Sequence, residues 1–382
     1  MILSGIEVRQ HSNECELTAQ LTCDTSWILD DRPFQLWYRF PADNYDFLDP
    51  ENADPYVAAL LAPAMCLGEP LKIEGKVSPK LLRATEQIQE IYRCWKPALT
   101  LVEVDVEIDT ARRADAKTEP RRNGLFFSLG VDSGYSLAKN LREHSADEEM
   151  LTDLVTVLGF DVYLSERQRF DAMVENATKV GSGLGKTIVP VSTNLRDFTD
   201  KIADWVQLYH GAALASVGLA LGARFGHMLI AATHTYADLL PLGSHPMLDP
   251  LWSTETLSFS HDGCEADRLG KMRCIAEVPG LLTTLRVCAT GETTDAYNCG
   301  RCPKCLMTMI GLHIVGALEK CSTLPKEIDL DGVRNIPVRN TTQKVYLQQL
   351  VDALGPTQAD LAIKEALEHC LHRAAGKTSA PT

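Results

Sequence analysis

One stretch of the sequence gives the strongest indication of the fold: Gly124-Leu-Phe-Phe-Ser-Leu-Gly-Val-Asp-Ser-Gly-Tyr-Ser-Leu-Ala-Lys139. Leu125–Phe127 is a short apolar run of the kind that forms a buried strand. The following residues, Ser128–Ser133, are rich in small and hydroxylic side chains, and from Ser133 onward apolar residues recur at helical spacing. The stretch therefore predicts a strand, a tight loop and the N-terminus of a helix, in that order.

The loop between that strand and helix is suited to an anion. The first backbone N–H groups of a helix have no partner within it, and the helix dipole favours negative charge beside them. Ser128, Ser133 and the amides of Gly130 and Val131 are expected to donate to phosphate oxygens. Asp132 is expected to cap the helix or to help hold a metal ion on the phosphates. The alternative is an ordinary turn in which the serines only cap the helix.

Downstream of this stretch, strand-type and helix-type segments alternate, which predicts an α/β domain with a parallel sheet and helices on both faces. The predicted strands are Gly124–Ser128, Leu154–Asp161, Thr187–Thr193, Met228–Ala232 and Thr256–Ser260. The predicted helices are Ser133–Glu143, Glu166–Val180, Arg196–Leu221 and Cys264–Glu277. Ligands of such sheets bind beyond the carboxyl ends of the strands, where polar residues concentrate in this sequence.

A second glycine-rich segment, Gly181-Ser-Gly-Leu-Gly-Lys-Thr187, looks like a Walker A loop. Only three residues separate Gly181 from Gly185, whereas the motif needs four, and the segment follows a helix instead of a strand. We interpret it as a helix C-cap and a turn.

The loop Thr233–Thr254 is long, and long loops in compact domains are usually functional. It contains His234, Tyr236, His245 and Asp249, which we interpret together as substrate-binding residues of a lid. For His245 by itself, a local hydrogen bond or a core contact is the favoured interpretation.

Four cysteines lie close together near residue 300. Ten residues separate Cys288 from the segment Cys299-Gly-Arg-Cys302-Pro-Lys-Cys305. Four thiolates at this spacing close a tetrahedral zinc site, and such a site is structural because no position is left open for water. An iron–sulfur cluster is the alternative, since it uses the same ligands.

Composition restricts the class of protein. The chain has 382 residues, of which 45% are hydrophobic and 23% charged, enough for two or three domains. The net charge of -14 disfavours nucleic acid as a partner. The N-terminal residues lack the features of a signal peptide, and the longest weakly polar run, Gly211–Ala223, is too short to span a membrane. With twelve cysteines and no secretory signal, we expect a cytoplasmic protein.

We predict three domains. Residues 1–118 contain alternating strand patterns, a helix at Pro79–Trp95 and no catalytic constellation, which indicates an α+β accessory domain. Residues 119–285 form the α/β domain. Residues 286–382 contain the cysteines and two C-terminal helices, predicted at Thr341–Leu354 and Gln358–Arg373.

The loop Ser128–Ser133 resembles the Ser-Gly-Gly-x-Asp-Ser loop of the N-type ATP pyrophosphatases, the PP-loop superfamily. One position departs, because Leu129 stands where the superfamily usually has a glycine. The resemblance implies the adenine nucleotide alpha hydrolase-like fold for residues 119–285, with ATP and Mg²⁺ as ligands. It also implies that the loop grips the pyrophosphate released when ATP adenylates a substrate, with Asp132 and Ser133 as catalytic residues.

The same resemblance implies two further groups. Backbone near the end of the second strand holds the adenine, which corresponds here to Gly159, Phe160 and Asp161. A basic residue early in the helix after the last strand lies near the α-phosphate. Lys271 and Arg268 are the candidates, because they are three residues apart and share a helix face. The alternative is a solvated basic face.

The order of the loop and the cysteines resembles the 7-cyano-7-deazaguanine synthase family, from about Gly124 to Leu312. This resemblance implies adenylation of a small-molecule carboxylate or carbonyl, purine- or deazapurine-like, with release of AMP and pyrophosphate. Amidation or nitrile formation follows, beside a zinc site at the four cysteines. The long gap after Cys288 and the long lid leave the identity of the substrate open.

Two alternatives also remain open. The first keeps the activation by ATP and ends in sulfur transfer to a nucleobase or tRNA, which needs a catalytic cysteine; Cys264 and Cys274 have no other assignment. The second is a non-catalytic nucleotide-binding or zinc-stabilised interaction protein, in which Leu129 marks a decayed loop. The expected partners are ATP and a small-molecule substrate, and a homodimer is one possible assembly.

Overall fold

The central element of the protein is one sheet of ten strands. A computed structural model describes residues 1–25, 28, 32–111, 121–144, 148–288, 297–338 and 341–377. The strands within these ranges are β1 (Ile2–Gln10), β2 (Glu14–Thr22), β3 (Phe34–Pro41), β4 (Leu71–Val77), β5 (Val104–Ile108), β6 (Arg122–Phe126), β7 (Asp153–Leu158), β8 (Thr187–Thr193), β9 (Phe225–Ala231) and β10 (Ser258–Asp262). Their order is β10-β9-β6-β7-β8-β3-β2-β1-β4-β5, and six of the nine neighbouring pairs are parallel. The predicted α/β class with a mostly parallel sheet is confirmed.

Helices flank this sheet. Those in the described ranges are α1 (Asp54–Leu67), α2 (Pro79–Trp95), α3 (Val131–Glu143), α4 (Arg167–Leu184), α5 (Leu195–Thr199), α6 (His210–Ala220), α7 (Arg268–Ala276), α8 (Pro303–Ile314), α9 (Leu330–Arg334), α10 (Thr341–Ala353) and α11 (Gln358–Lys377). Where β6 ends, Leu125 and Phe127 belong to one buried core and Phe126 to another. Side chains that alternate in this way point to opposite faces, so both faces are buried.

The winding of β6 to β10 locates the candidate site. β6 comes first in this part of the chain and lies in the middle, with β7 on one side and β9 on the other. From β6 the chain continues through β7 to β8 on one side, and it then returns to form β9 and β10 on the other side. The switch point therefore lies between the carboxyl ends of β6 and β9. In open α/β sheets, ligands bind in the crevice at such a switch point. The loop Ser128–Ser133 follows β6, and the lid begins directly after β9.

The N-terminal region extends the same sheet. β3 pairs antiparallel with β8, with Tyr38 opposite Thr193. The Asn194 side chain strengthens the junction, because it accepts from the N–H of Trp37 at 2.9 Å and donates to the carbonyl of Gln35 at 2.8 Å. The predicted domains 1–118 and 119–285 thus share a continuous sheet, and the boundary between them stays a prediction.

The predicted helix Arg196–Leu221 is wrong as a single element. The structure divides it into α5, a π turn at Trp205–Tyr209 and α6. The carboxylate of Asp204 accepts from the N–H of Gln207 at 2.6 Å and so caps a new start. The Walker-like segment has the predicted geometry, because α4 ends at Leu184 and the next residue is a glycine in the left-handed conformation.

Two further helices differ from their patterns. The predicted helix Cys264–Glu277 starts only at Arg268, where the Asp267 side chain caps it. No periodicity predicts α1, because its residues are buried on nearly all sides. Among the helices that the structure describes, none is both long and apolar enough to cross a membrane.

Candidate anion site, lid cavity and cysteine cluster

Leu129 gives the loop after β6 its unusual shape. Its φ is 61°, and no other non-glycine residue in the described ranges has a positive φ. This backbone conformation costs about 1–3 kcal/mol for a residue with a side chain. The side chain is buried, and the carbonyl accepts from the N–H of Arg286 at 3.0 Å. Burial therefore holds a leucine in the conformation that glycine adopts readily.

The two serines of the loop lie side by side. The hydroxyls of Ser128 and Ser133 are 3.3 Å apart, and the Ser133 hydroxyl lies 3.3 Å from the N–H of Ser128. α3 begins at Val131, and no side chain caps its first turn. Both serines bond the backbone of Gly130, at 3.4 Å, so the alternative in which they only support the start of the helix stays open. The first amides of α3 remain available for an anion.

Asp132 lies between the two basic residues of α7. Its carboxylate oxygens are 3.3 Å from Lys271 Nζ and 3.4 Å from an Arg268 guanidinium nitrogen. Lys271 is almost fully buried and also donates to the carbonyl of Ala232 at 2.5 Å. The Arg268 guanidinium lies over the ring of Tyr346, on α10, at 5.8 Å. Both candidate cations thus reach the loop, and a solvated face is wrong for Lys271.

Arg286 also contacts this loop, although no sequence pattern indicates it. The residue is 8% exposed, and its guanidinium makes no hydrogen bond or ion pair with any residue that the structure describes. Burial lowers the pKa of Arg286, an effect that the carboxylate of Asp161 opposes. A buried cation without a partner is costly and usually marks a functional position. Its backbone N–H contacts the loop at the carbonyl of Leu129, and the carboxylates nearest in effect to its guanidinium are those of Asp161 and Glu166.

The end of β7 requires a glycine. Gly159 has a φ of 100°, and a Cβ at this position would lie 1.9 Å from the carbonyl oxygen of Thr193. The backbones of β7 and β8 therefore approach each other more closely here than any side chain allows. The backbone that the resemblance assigns to adenine lies at this close approach.

Aromatic side chains line the surface beside it. The rings of Phe160 and Trp205 are 5.1 Å apart, and the indole N–H of Trp205 donates to Asp161 at 3.3 Å. The Arg196 guanidinium lies between two rings, 4.5 Å from Trp205 and 4.7 Å from Tyr163. Flat rings and a stacked guanidinium are suited to a planar base.

The lid brings together three of its four predicted residues. His234 and His245 line a small cavity at the carboxyl ends of β9 and β10. Asp249 is fully buried beside it and accepts from Nδ1 of His261 at 2.7 Å. The ring of Tyr236 is 64% exposed and does not line this cavity.

The four predicted cysteines form one cluster that could bind a metal ion. Their sulfur atoms all lie within 4.8 Å of one another, and the pairs Cys288–Cys302 and Cys299–Cys305 are 3.9 Å apart. Ligands about 2.3 Å from a tetrahedral zinc ion are about 3.8 Å apart, whereas disulfide sulfurs are about 2.05 Å apart. The hydrogen bond from the Cys305 thiol lowers the pKa of the Cys302 thiol, which caps α8. The cluster has the dimensions of a four-thiolate site.

The cysteine cluster is tied to the loop after β6. The Asn298 side chain accepts from the N–H groups of Val287 and Cys288, at 2.9 and 3.1 Å, and donates to the carbonyl of Leu285 at 2.8 Å. This clamp fixes the segment that carries Arg286. A metal ion at Cys288 would therefore also restrain the cation beside the anion loop.

Comparisons with other proteins leave the family open. No protein-family model matches the chain, and the comparisons with curated proteins and with solved structures also give no match. The function must therefore be argued from the site.

Proposed function

We propose that the chain is an ATP-dependent ligase or synthase of the PP-loop type. Its substrate would be a small-molecule carboxylate or carbonyl, purine- or deazapurine-like, which is adenylated with release of AMP and pyrophosphate and then converted to an amide or a nitrile. One observation carries the proposal: the loop at the switch point of the sheet is faced by more cations than anions. Lys271 and Arg268 share the single carboxylate of Asp132, and the backbone of Arg286, whose buried guanidinium makes no hydrogen bond or ion pair in the described chain, contacts the loop.

This excess of positive charge suits pyrophosphate as a leaving group. A substrate oxygen attacks the α-phosphorus of ATP, a new P–O bond forms, and the bond to the pyrophosphate breaks with its electron pair. Negative charge then accumulates on the pyrophosphate, next to Ser128, Ser133 and the first amides of α3. Lys271 and Arg268 stabilise the charge at the α-phosphate, because fixed cations in a buried site need no reorganisation. We assign Arg286, whose backbone N–H bonds the loop, as a further cation for the leaving group.

The residues present fit magnesium as a companion of the nucleotide. Mg²⁺ prefers oxygen ligands and is usually held by one or two carboxylates together with substrate phosphates. Asp132, which is about a quarter exposed, is the protein ligand that fits at this loop. Bound there, the ion would offset phosphate charge.

The cysteine cluster fits zinc, which we assign to Cys288, Cys299, Cys302 and Cys305. Four thiolates leave no open position, so the ion has a structural role. It would hold the segment of Arg286 against the loop after β6.

Two observations weaken the alternatives. Sulfur transfer needs a reactive cysteine, but burial raises the pKa of Cys264 and of Cys274 and so disfavours their thiolates. In a decayed loop, the strain at Leu129 and the unpaired charge of Arg286 would have no benefit to offset their cost.

The test is ATP–pyrophosphate exchange. Purified protein is incubated with ATP, magnesium, labelled pyrophosphate and a series of carboxylated purines and deazapurines. We expect label in ATP only with an accepted acid, because exchange requires a reversible adenylation. If no acid supports exchange while ATP is converted to ADP, the proposal is wrong.

A further inference from the structure

Four of the ten histidines of the chain line one cavity. The four come from three segments: His210 from α6, His234 and His245 from the lid, and His261 from β10. They meet at the carboxyl ends of β9 and β10, where three leucines complete the wall. The volume of the cavity is about 30 Å³. A space of this size holds one or two water-sized molecules and is too small for a purine.

One of these rings is held by a buried carboxylate. His261 Nδ1 lies 2.7 Å from Asp249 Oδ2, and the two side chains are 5% and 0% exposed. The Ser244 hydroxyl donates to the same oxygen at 2.6 Å, and the N–H of His245 donates to the other at 3.3 Å. A Cβ at Gly211, in the first turn of α6, would lie 2.9 Å from Asp249 Oδ1. The glycine therefore leaves the space that the carboxylate of Asp249 occupies.

This arrangement defines which nitrogen of His261 is free. Asp249 accepts the proton of Nδ1, so the neutral ring has its lone pair on Nε2. Within the described residues, Nε2 makes no hydrogen bond, and the ring lines the cavity. A carboxylate behind an imidazole stabilises the imidazolium that forms when Nε2 takes a proton.

The other three histidines prepare the cavity for a small, uncharged nitrogen nucleophile. Burial lowers the pKa of His210, His234 and His245 and so favours their neutral rings, and His245 Nδ1 accepts from the N–H of Met247 at 3.1 Å. The cavity also adjoins the anion loop, because Lys271 bonds both Asp132 and the carbonyl of Ala232, two residues before His234. His234 itself is near enough to Asp132 for that carboxylate to oppose the lowering of its pKa, so the cavity borders the loop that we assign to pyrophosphate.

We propose that His261 is the catalytic base, which takes a proton from ammonia as the ammonia attacks the adenylated substrate. The histidine cavity admits this ammonia, and Asp249 is a positioning residue. The inference rests on the proposed function. As the C–N bond forms, the C–O bond to AMP breaks and AMP leaves with its electron pair. One proton of the nitrogen passes to His261 Nε2 and from there to solvent. The sum is an amide, AMP and one proton.

The first experiment separates the two half-reactions in His261→Gln and Asp249→Asn. Both variants should keep ATP–pyrophosphate exchange within about threefold, since adenylation precedes the attack by ammonia. Amide formation with ammonium chloride should fall by about 10²- to 10⁴-fold, the usual contribution of a general base. The matched control is His227→Gln, because His227 lies on β9, bonds Ser258 at 2.8 Å and does not line the cavity. It should leave both rates unchanged.

The outcomes distinguish this inference from the proposed function. Full amide formation in His261→Gln overturns the inference alone, as does an equal loss of exchange and amide formation. Absence of exchange in the unchanged protein contradicts the proposed function instead.

The second experiment tests the cavity without the reaction. Nitrogen NMR of the free protein should find the His261 proton on Nδ1, and Asp249→Asn should move it to Nε2. Addition of ammonium chloride at pH 8.5 should shift the Nε2 resonance, while sodium chloride should not. A proton on Nε2 in the unchanged protein, or an Nε2 signal insensitive to ammonium, refutes the inference whatever the exchange assay gives.

Discussion

Replacing Arg286 by methionine should raise the stability of the protein and weaken its binding of pyrophosphate. The guanidinium is 8% exposed and makes no hydrogen bond or ion pair in the described chain, so only the carboxylates of Asp161 and Glu166, beyond ion-pair distance, offset the cost of burying it. Replacing a buried ion pair by apolar side chains of similar volume gains about 1–4 kcal/mol where it stabilises, and we take this range for Arg286→Met. Unfolding entropy is about 2.1 cal/mol/K per residue, so for this chain of 382 residues we expect Tm to rise by about 1–5 °C.

The effect on the ligand has the opposite sign. A hydrogen bond to a charged group contributes about 1.5–3 kcal/mol, so the loss of Arg286 should raise the Kd for pyrophosphate by about 10- to 150-fold. Calorimetric titration with magnesium pyrophosphate and thermal unfolding of the same samples provide the two numbers. Both measurements are needed, because replacing a purely structural arginine would change the Tm and leave the Kd for pyrophosphate unaltered.

Arg224→Met is the matched control. Arg224 is 6% exposed, but it pairs with the buried carboxylate of Asp153 at 2.5 Å, at the amino ends of β7 and β9, whereas the anion loop follows the carboxyl end of β6. Its loss removes one of the two arginines that pair with Asp153, the other being Arg122, so it should lower stability and leave the Kd for pyrophosphate unchanged. If Arg286→Met is instead destabilised with an unaltered Kd, the reasoning about an unpaired cation is refuted.

Three further predictions concern the loop, β7 and the cysteines. Asp132→Asn and Ser133→Ala should lose ATP-dependent turnover with an unchanged circular dichroism spectrum, and full activity in both would mean that the loop is not the pyrophosphate site. Gly159→Ala should unfold at lower temperature and bind ATP more weakly, because its Cβ would lie 1.9 Å from the carbonyl oxygen of Thr193. Gly183→Ala, in α4 with open space around it, should instead raise the free energy of unfolding by about 0.5–1 kcal/mol. Cys302→Ser should lower both Tm and the zinc content measured by elemental analysis, about one ion per chain in the unchanged protein, since metal binding to four thiolates is coupled to folding. Metal-free protein with unaltered Tm would contradict the zinc assignment, and iron with sulfide would replace it by a cluster.

Local signals predict the elements that carry strong patterns. The strand Thr187–Thr193 has the predicted bounds because turn residues flank it. The helix Pro79–Trp95 also has its predicted bounds, and a capping serine with a following proline marks its start. The four cysteines were also predictable, since their spacing encodes the chemistry. In contrast, β3 and β8 pair across about 150 residues of sequence, and no local pattern specifies such a partner.

The residues that complete the site depend on tertiary structure. His210, His234, His245 and His261 are dispersed in sequence, and only the assembly of β9, β10, the lid and α6 brings them to one cavity. Arg286 has no sequence signal for the same reason. Only the structure shows that its guanidinium is buried without a hydrogen bond or ion pair among the described residues. Strain at Leu129 likewise becomes interpretable only when its burial is known.

The central claim is that ATP is cleaved between the α- and β-phosphates, and the direct measurement is the identity of the nucleotide product. ATP labelled on the α-phosphate is incubated with the protein, magnesium, ammonium chloride and the acid that supports exchange, and the products are separated by chromatography. We predict AMP and pyrophosphate in equal amounts, formed in step with the amide or nitrile. ADP and inorganic phosphate as the products would contradict the assignment of the loop Ser128–Ser133 to pyrophosphate.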